Sequence, residues 1–367
     1  MTVMGREIIQ ILEEWAPKRL AVENDRIGLQ VGHPDAEVKG VLVALDVTEA
    51  VVDEAIRIGA NWIVAHHAII YRPLNDLRTD RPAGRVYAKL LAHEINVFIS
   101  HTNLDAASGG VNDVMCELIG LTNLEVLLPT YQPSLQKIVV FIPESHHEKV
   151  LQAMCQAGAG AIGEYSHCTF NLHGTGTFLP GEGTNPHIGE QGKLEQVSEV
   201  RLETIVSDEV RDAVVQAMKK AHPYEEAAYD IYPLELQGER LGVGRVGDLP
   251  RSVTLRELAE KLKVAYQLSG LRMVGDGERR VRKVAVLGGS GGRYYRNALS
   301  CGADVYITGD LDHHTVLDAL AEGLTLLDPG HHAEELVLQR VVDILQRKLP
   351  SINIQATTVD TNPFTFL

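Results

Sequence analysis

Two stretches far apart in the chain repeat one plan, and that plan constrains most of what the chain can fold into. The first is Val41-Leu42-Val43-Ala44-Leu45-Asp46, a helical stretch, then Gly59-Ala60-Asn61-Trp62-Ile63-Val64-Ala65-His66-His67. The second is Val284-Ala285-Val286-Leu287-Gly288-Gly289, a helical stretch, then Gly302-Ala303-Asp304-Val305-Tyr306-Ile307-Thr308-Gly309-Asp310. Each reads strand, loop, helix, Gly-Ala, strand. This is a βαβ unit, which builds a parallel sheet through a right-handed crossover. Gly-Ala before a strand is common by itself; the matched order of elements is what argues for kinship between the halves. Both second strands end in polar residues, and ligands bind at the carboxyl ends of parallel strands.

A stretch of different character separates the halves, from about Gln132 to about Leu236. It has strand-like runs at Lys137 to Ile142 and Ala227 to Tyr232, and helix-like segments at Glu148 to Gln156 and Asp208 to Ala221. The order is roughly βαββαβ, a ferredoxin-like plan. The expected organisation is an N-terminal α/β lobe over 1–131, an inserted domain over 132–236 and a C-terminal α/β lobe over 237–367. Insertions of this kind are tolerated at exposed loop tips.

The net charge of −15 argues against general nucleic-acid binding, because phosphate contacts need clustered Lys and Arg. Cys116, Cys155, Cys168 and Cys301 are scattered without a C-x-x-C, so neither a disulfide framework nor a thiolate zinc site is expected. The N-terminal residues lack an apolar h-region with a cleavage site, and no apolar run approaches the roughly 20 residues needed to span a bilayer. The expectation is a cytoplasmic protein with no membrane partner.

The apolar run Asn61 to Ala65 delivers His66 and His67 to a strand end. Adjacent strand residues point to opposite faces, so the two rings share a site only where the strand has ended and the backbone turns. Neutral imidazole is the commonest protein ligand for divalent transition metals. His146-His147, His313-His314 and His331-His332 also occur, and not all can be ligands. Asp105 follows the apolar strand Ile95 to Ser100. His331 and Glu335 fall four apart in a segment that reads as a helix start, on one face of an α-helix, with Glu334 pointing elsewhere. Asp310 and His314 follow the second repeat strand. Taken singly, each is more often a satisfied polar residue than a ligand; gathered at strand ends and a helix start they are far more specific. Imidazoles with carboxylates suit zinc, manganese, iron or cobalt, and five ligands suit a bridged pair of ions better than one tetrahedral zinc.

Other motifs read more plainly. Gly288-Gly289-Ser290-Gly291-Gly292 could cradle a phosphate on backbone N–H groups, but it has neither full dinucleotide-loop spacing nor a Walker lysine, so a tight turn is favoured. Asn24 to Leu29 reads as a turn. His146 and His147 read as solvent-facing residues opening a helix capped by Ser145.

The loop ending in Gly28-Leu29-Gln30-Val31-Gly32, the His66-His67 pair, His101-Thr102-Asn103-Leu104-Asp105, Gly109-Gly110-Val111-Asn112-Asp113, Thr308-Gly309-Asp310, His314, and Gly330-His331 with Glu335 together resemble the GTP cyclohydrolase I type 2 family, also called NIF-three-like. The resemblance covers both outer segments. It implies an α/β fold of two related lobes forming one domain around a dinuclear metal site, with ligands at His66, His67, Asp105, His331 and Glu335. The place before that Glu, normally Thr in the family, is Glu334 here. The middle stretch, with Gly176-Thr177-Phe178 and His222-Pro223-Tyr224-Glu225-Glu226, resembles the inserted PII/CutA-like domain of the longer bacterial members. The resemblance also implies homohexameric rings.

Two functions follow from these expectations. In one, two divalent ions activate water for hydrolysis of a nucleotide or related small phosphorylated compound, with GTP ring opening named by the resemblance and His101 or His314 moving protons. In the other, the chain is a ring-shaped, non-catalytic scaffold that binds metal and a partner or small molecule.

Overall fold

The structure, a computed structural model, describes residues 2–366. It separates into two compact units, one made of the residues up to Tyr131 together with those from Leu241, the other of Gln132–Arg240.

In the discontinuous unit, five strands form one sheet in the order Gly28–Val31, Asn96–Ile99, Trp62–Ala65, Val41–Ala44, Ile354–Ala356. Gly28–Val31 is antiparallel to its neighbour and the other pairings are parallel. Every residue of the three central strands is buried, as expected of a parallel sheet covered on both faces. Strand alternation sends Val41, Val43, Trp62, Val64 and Phe98 to one hydrophobic cluster, and Leu42, Ala44, Ile63, Ala65, Val97 and Ile99 to another. The register aligns Ala44 with Ala65 and Ala65 with Ile99. Asp46, the His66-His67 pair and Ser100-His101 therefore leave the sheet along one edge.

A six-stranded sheet has the order Arg272–Val274, Thr325–Asp328, Val305–Gly309, Arg280–Ser290, Leu241–Thr254, Thr122–Tyr131. Its second, third and fourth strands are parallel and the rest pair antiparallel. Gly309, Asp328 and Ser290 end the parallel strands at a common edge, from which Asp310 and Gly330-His331 emerge.

The two outer halves, which meet the middle unit at Tyr131 and Leu241, are not self-contained stretches of chain. Ile354–Ala356, from the second half, completes the five-stranded sheet, and Thr122–Tyr131, from the first, closes the six-stranded one. An unpaired edge strand exposes a row of N–H and C=O groups; here each half supplies the other's edge. One core takes Trp62 and Phe98 from the first sheet and Val286 and Leu326 from the second. Arg245 fastens them further: buried on the second sheet, it makes a bidentate pair with Asp113 at 2.6 and 2.9 Å, on a helix, Val111–Leu118, contributed by the first half.

The Gln132–Arg240 unit runs strand Ser134–Pro143, helix His147–Gln156, strands Thr169–Phe178 and Glu195–Ser207, helix Arg211–Ala221, strand Tyr229–Gln237. Its antiparallel sheet has the order Thr169–Phe178, Glu195–Ser207, Ser134–Pro143, Tyr229–Gln237. Val150, Met154, Val214 and Met218 of the helices pack on Ile138, Val140, Ile142, Leu202 and Val206. The alternate residues, Phe141, Glu199 and Arg201, face the other way. A single 3-10 turn, Glu144–His146, precedes the first helix, which has no side-chain cap. Ser145 Oγ instead lies 2.9 Å from His146 Nδ1, and both histidines are half-buried, His147 bonded to Asn171 Oδ1 at 2.8 Å. The solvent-facing reading of that pair is thereby corrected.

Among the described residues no helix is long and apolar enough to cross a membrane. All four cysteines are free thiols.

Candidate metal centre

The two carboxyl-end edges bring four imidazoles and two carboxylates together. Among the described residues, three sets of side chains have ligand atoms close enough to hold an ion: His66, His67 and His101; His67, His331 and Glu334; His66, Asp105 and Glu334. Glu334 Oε2 stands 3.1 Å from His67 Nε2, 3.2 Å from His331 Nε2 and 3.7 Å from His66 Nε2. His66 Nε2 lies 3.5 Å from Asp105 Oδ1. Atoms each about 2.1 Å from one ion in tetrahedral array stand about 3.4 Å apart, so these spacings match a ligand shell.

Hydrogen bonds fix the rings so that the same nitrogen points inward each time. His66 Nδ1 donates to the Ser100 carbonyl at 2.9 Å, and a carbonyl can only accept. His67 Nδ1 donates to Asp46 Oδ1 at 2.7 Å, His331 Nδ1 to Asp310 Oδ2 at 2.7 Å, and His101 Nδ1 to Asp25 Oδ1 at 2.9 Å. With the proton on Nδ1, a neutral ring presents a lone pair at Nε2, the orientation in which metal-ligating histidines are held. His67 Nε2 and His331 Nε2 are 3.2 Å apart. His66 Nε2 and Asp105 Oδ1 are buried and without a hydrogen-bond partner, an arrangement that costs free energy unless something positive sits between them.

The carboxylate beside His331 is Glu334 and not the expected Glu335. Residues His331–Val337 form a 3-10 helix, and the α-helix begins only at Leu338. At three residues per turn, i and i+3 share a face. Glu334 is 2% exposed inside the cluster, whereas Glu335 pairs with His332 at 2.7 Å. His314 is not brought to the cluster either. Asp312 caps the helix His313–Ala321 by accepting from the His314 and Thr315 N–H groups, and the exposed His314 ring lies against His313. His101 does belong, its ring 5.0 Å from that of His66 and 5.7 Å from that of His67.

With this geometry in place, the sequence finds its relatives. The Duf34/NIF3 (NGG1p interacting factor 3) pattern matches residues 3–363. The chain belongs to the Duf34/NIF3 family. A relative from Halalkalibacterium halodurans, called a GTP cyclohydrolase 1 type 2 homolog, is 50% identical, the match covering 99% of each chain. One of the same name from Bacillus subtilis is 49% identical over 100% of this chain and 99% of its own. The crystal structure of a Bacillus cereus protein related to NIF3 superposes with a TM-score of 0.94 at 48% identity, over the whole of both chains. The fold is thus the mixed α/β fold of the Duf34/NIF3 family.

Within this family member the glycine run serves the cluster by leaving space. The strand continues to Ser290, so Gly288 and Gly289 are strand residues and not a strand-to-helix loop. Gly289 has φ +63°, and a Cβ there would lie 2.5 Å from Glu334 Oε1. The Gly288 N–H donates to Asn112 Oδ1 and the Gly291 N–H to Thr308 Oγ1, so neither is free for a phosphate. Asn112 Nδ2 in turn donates to the Asp105 carbonyl at 2.9 Å, tying Asp105 to the glycine strand.

The cluster's charges act on one another. Burial works against charge on His67, but the Asp46 and Glu334 carboxylates outweigh it and raise its pKa to about 10. The Glu334 hydrogen bond raises that of His331 to about 9. Burial, with Glu334 adding to it, raises Asp105 to about 6. Burial opposes charge on Glu334, yet the surrounding histidines hold its pKa well below the usual range. These carboxylates draw positive charge toward the imidazoles, and a divalent cation competes with protons for the same place. A cavity of about 870 Å³ opens beside the cluster, lined by His67, Asp310, His331, Arg272, Asn362 and Phe364. Arg272, paired with Asp328, brings a cation to its wall.

Asp25, Asp46 and Glu334 are the site residues that sequence reasoning missed. Asp46 had a signal, since it ends the strand beside the one carrying His66. Asp25 had none beyond its loop.

Proposed function

We propose that this protein holds two divalent ions and acts as a metal-dependent hydrolase of a nucleotide or related small phosphorylated compound. The observation that carries the reading is the pair of buried, unpartnered atoms His66 Nε2 and Asp105 Oδ1, pointing into a cluster whose rings all turn Nε2 inward. His67, His331 and Glu334 would hold one ion, His66, Asp105 and Glu334 the other, with Glu334 shared. Three imidazoles and two carboxylates without a thiolate suit zinc, manganese, iron or cobalt, which would supply Lewis acidity, polarising a substrate oxygen and lowering the pKa of water toward about 7.

The chain's own groups supply the rest. Burial raises the Asp25 pKa, but bonds from His101 and Thr102 outweigh it and hold the carboxyl far below the usual carboxylate range, so Asp25 stays ionised and keeps the His101 proton on Nδ1. His101 Nε2 is then the atom that takes up and returns a proton beside the cluster. The cavity has room for a nucleotide-sized ligand, and Arg272 can meet an anionic group there. We read residues 132–240 as a ferredoxin-like insert, and the family resemblance carries the further reading of a cytoplasmic homohexamer, which light scattering checks.

The test is to strip the protein of metal, add manganese, zinc, cobalt or iron(II), and follow GTP and phosphoesters by chromatography. Product that disappears in His66→Ala and His331→Ala supports a hydrolase. Identical traces for wild type and both variants would leave a metal-holding protein without turnover.

A further inference from the structure

The Gln132–Arg240 unit contains a second built cavity, independent of the metal centre. It lies on the sheet face turned away from the two helices. On the edge strand Leu172, Gly174, Gly176 and Phe178 share that face, with Gly174 paired to Glu199 and Leu172 to Arg201. The glycines remove side chains where the neighbouring strand carries its carboxylate. A Cβ on Gly176 would fall 2.1 Å from Glu199 Oε2 and 3.0 Å from Oε1, so the carboxylate lies directly over this glycine. Two loops wall the face in. Gly192 N–H donates to the Pro180 carbonyl at 2.8 Å and closes one loop; Asn185 N–H donates to Glu225 Oε2 at 2.8 Å and ties it to the other. They border an open cavity of about 610 Å³, a volume suited to a small ligand.

The chemistry of the walls selects the ligand. Glu199 is 8% exposed, and Tyr224 donates its hydroxyl to Oε1 at 2.9 Å. A carboxylate has about four acceptor positions, and one neighbouring hydroxyl satisfies one of them. Phe178 and Tyr224 rings lie 5.7 Å apart and His187 is 6.4 Å from Tyr224, which gives an aromatic wall above the flat glycine strand. Glu225 and Glu226 also line the cavity. Its one guanidinium, Arg201, lies 2.9 Å from Glu203 Oε1 and over the Phe141 ring, its Nε without a hydrogen-bond partner, so one cation stands against the three carboxylates of the lining. A net acidic cavity of this kind repels phosphate and carboxylate.

We propose that this cavity binds a small planar molecule carrying an amidine-like pair of N–H donors, such as an aminated heterocycle. Its donor edge meets the Glu199 carboxylate in a charge-assisted, two-point contact, and its ring lies between the Gly174–Gly176 strand and Tyr224.

Calorimetric titration of the full chain with benzamidine and with benzoate, which share a ring and differ in charge, tests the assignment. Benzamidine is expected to bind saturably, and benzoate about tenfold more weakly or less, the scale of one charge-assisted contact. Glu199→Gln should weaken benzamidine by about the same factor. Gly176→Ala, which displaces the carboxylate without removing it, should do likewise. Absence of saturable benzamidine binding to the wild type, equal affinity for benzoate, or unchanged affinity in folded Glu199→Gln would overturn the proposal.

Discussion

Glu334 and Glu335 differ by one position and one hydrogen bond, yet they lead to opposite expectations. Glu334 Oε2 faces three imidazoles, while Glu335 is spent on His332. Glu334→Gln should therefore lose most of the bound metal, and Glu335→Gln should keep it, as elemental analysis of the two purified variants will show; metal retained by the first and lost by the second would restore the α-helical pairing. His222 supplies a pH test in the Gln132–Arg240 unit. Its Nε2–H donates to the Phe141 carbonyl at 2.9 Å and its Nδ1 accepts from the Tyr224 N–H at 3.1 Å, so both nitrogens are satisfied only by the neutral ring. Burial lowers its pKa, with His146 and His187 adding to the effect while the Phe141 bond and Glu199 oppose it. A histidine whose folded pKa is depressed takes up its proton more readily when unfolded, so stability is present above the unfolded pKa of about 6.5 and falls as the pH drops below it. Denaturant titrations from pH 7.5 to 5 should show that loss in the wild type and a shallower slope in His222→Gln. An NMR titration placing the His222 pKa above its ordinary value would refute this.

At the scale of elements, strands carry the architecture and short turns carry the site. Leu42 is fully buried in a central strand, and Leu42→Ala should cost about 2–5 kcal/mol, read as an earlier denaturant midpoint with unchanged slope. The strands were legible because parallel strands buried on both faces read as short apolar runs, such as Val41 to Ala44 and Asn61 to Ala65. The strand ends follow from them, which is why His66, His67 and Asp105 are legible in the sequence. Glu334 is not, because the sequence pattern at His331 fits an α-helix and a 3-10 turn changes which neighbours share a face. Asp25 and Asp46 were hidden for another reason: each supports a histidine 76 or 21 residues away, and no local pattern encodes such a bond. His314 failed in the reverse sense, since its position after a strand end said nothing of how the Asp312 cap would turn the helix.

At the scale of the whole molecule, the exchange of edge strands makes the two outer segments one folding unit, and it also decides what can be removed. Leu241 pairs directly with Tyr131, and Gly242 with Pro129, in an antiparallel ladder. The chain therefore enters and leaves the Gln132–Arg240 unit at two adjacent backbone positions. An antiparallel pair is closed by a two-residue turn, and Asn-Gly supplies the positive φ angles that turn needs. A chain in which Asn-Gly replaces residues 132–240 should keep the register of the Thr122–Tyr131 and Leu241–Thr254 strands, because those pairings and the Arg245–Asp113 contact lie wholly outside the deleted part. It should be soluble, unfold cooperatively, and bind as much metal per chain as the full-length protein, since every residue of the cluster remains. It should also lose saturable benzamidine binding, because every group lining that cavity is gone. Solution scattering, elemental analysis and calorimetry on this shortened chain give the three readings. Aggregation, or loss of metal from a folded shortened chain, would mean that the Gln132–Arg240 unit is needed to build the metal centre.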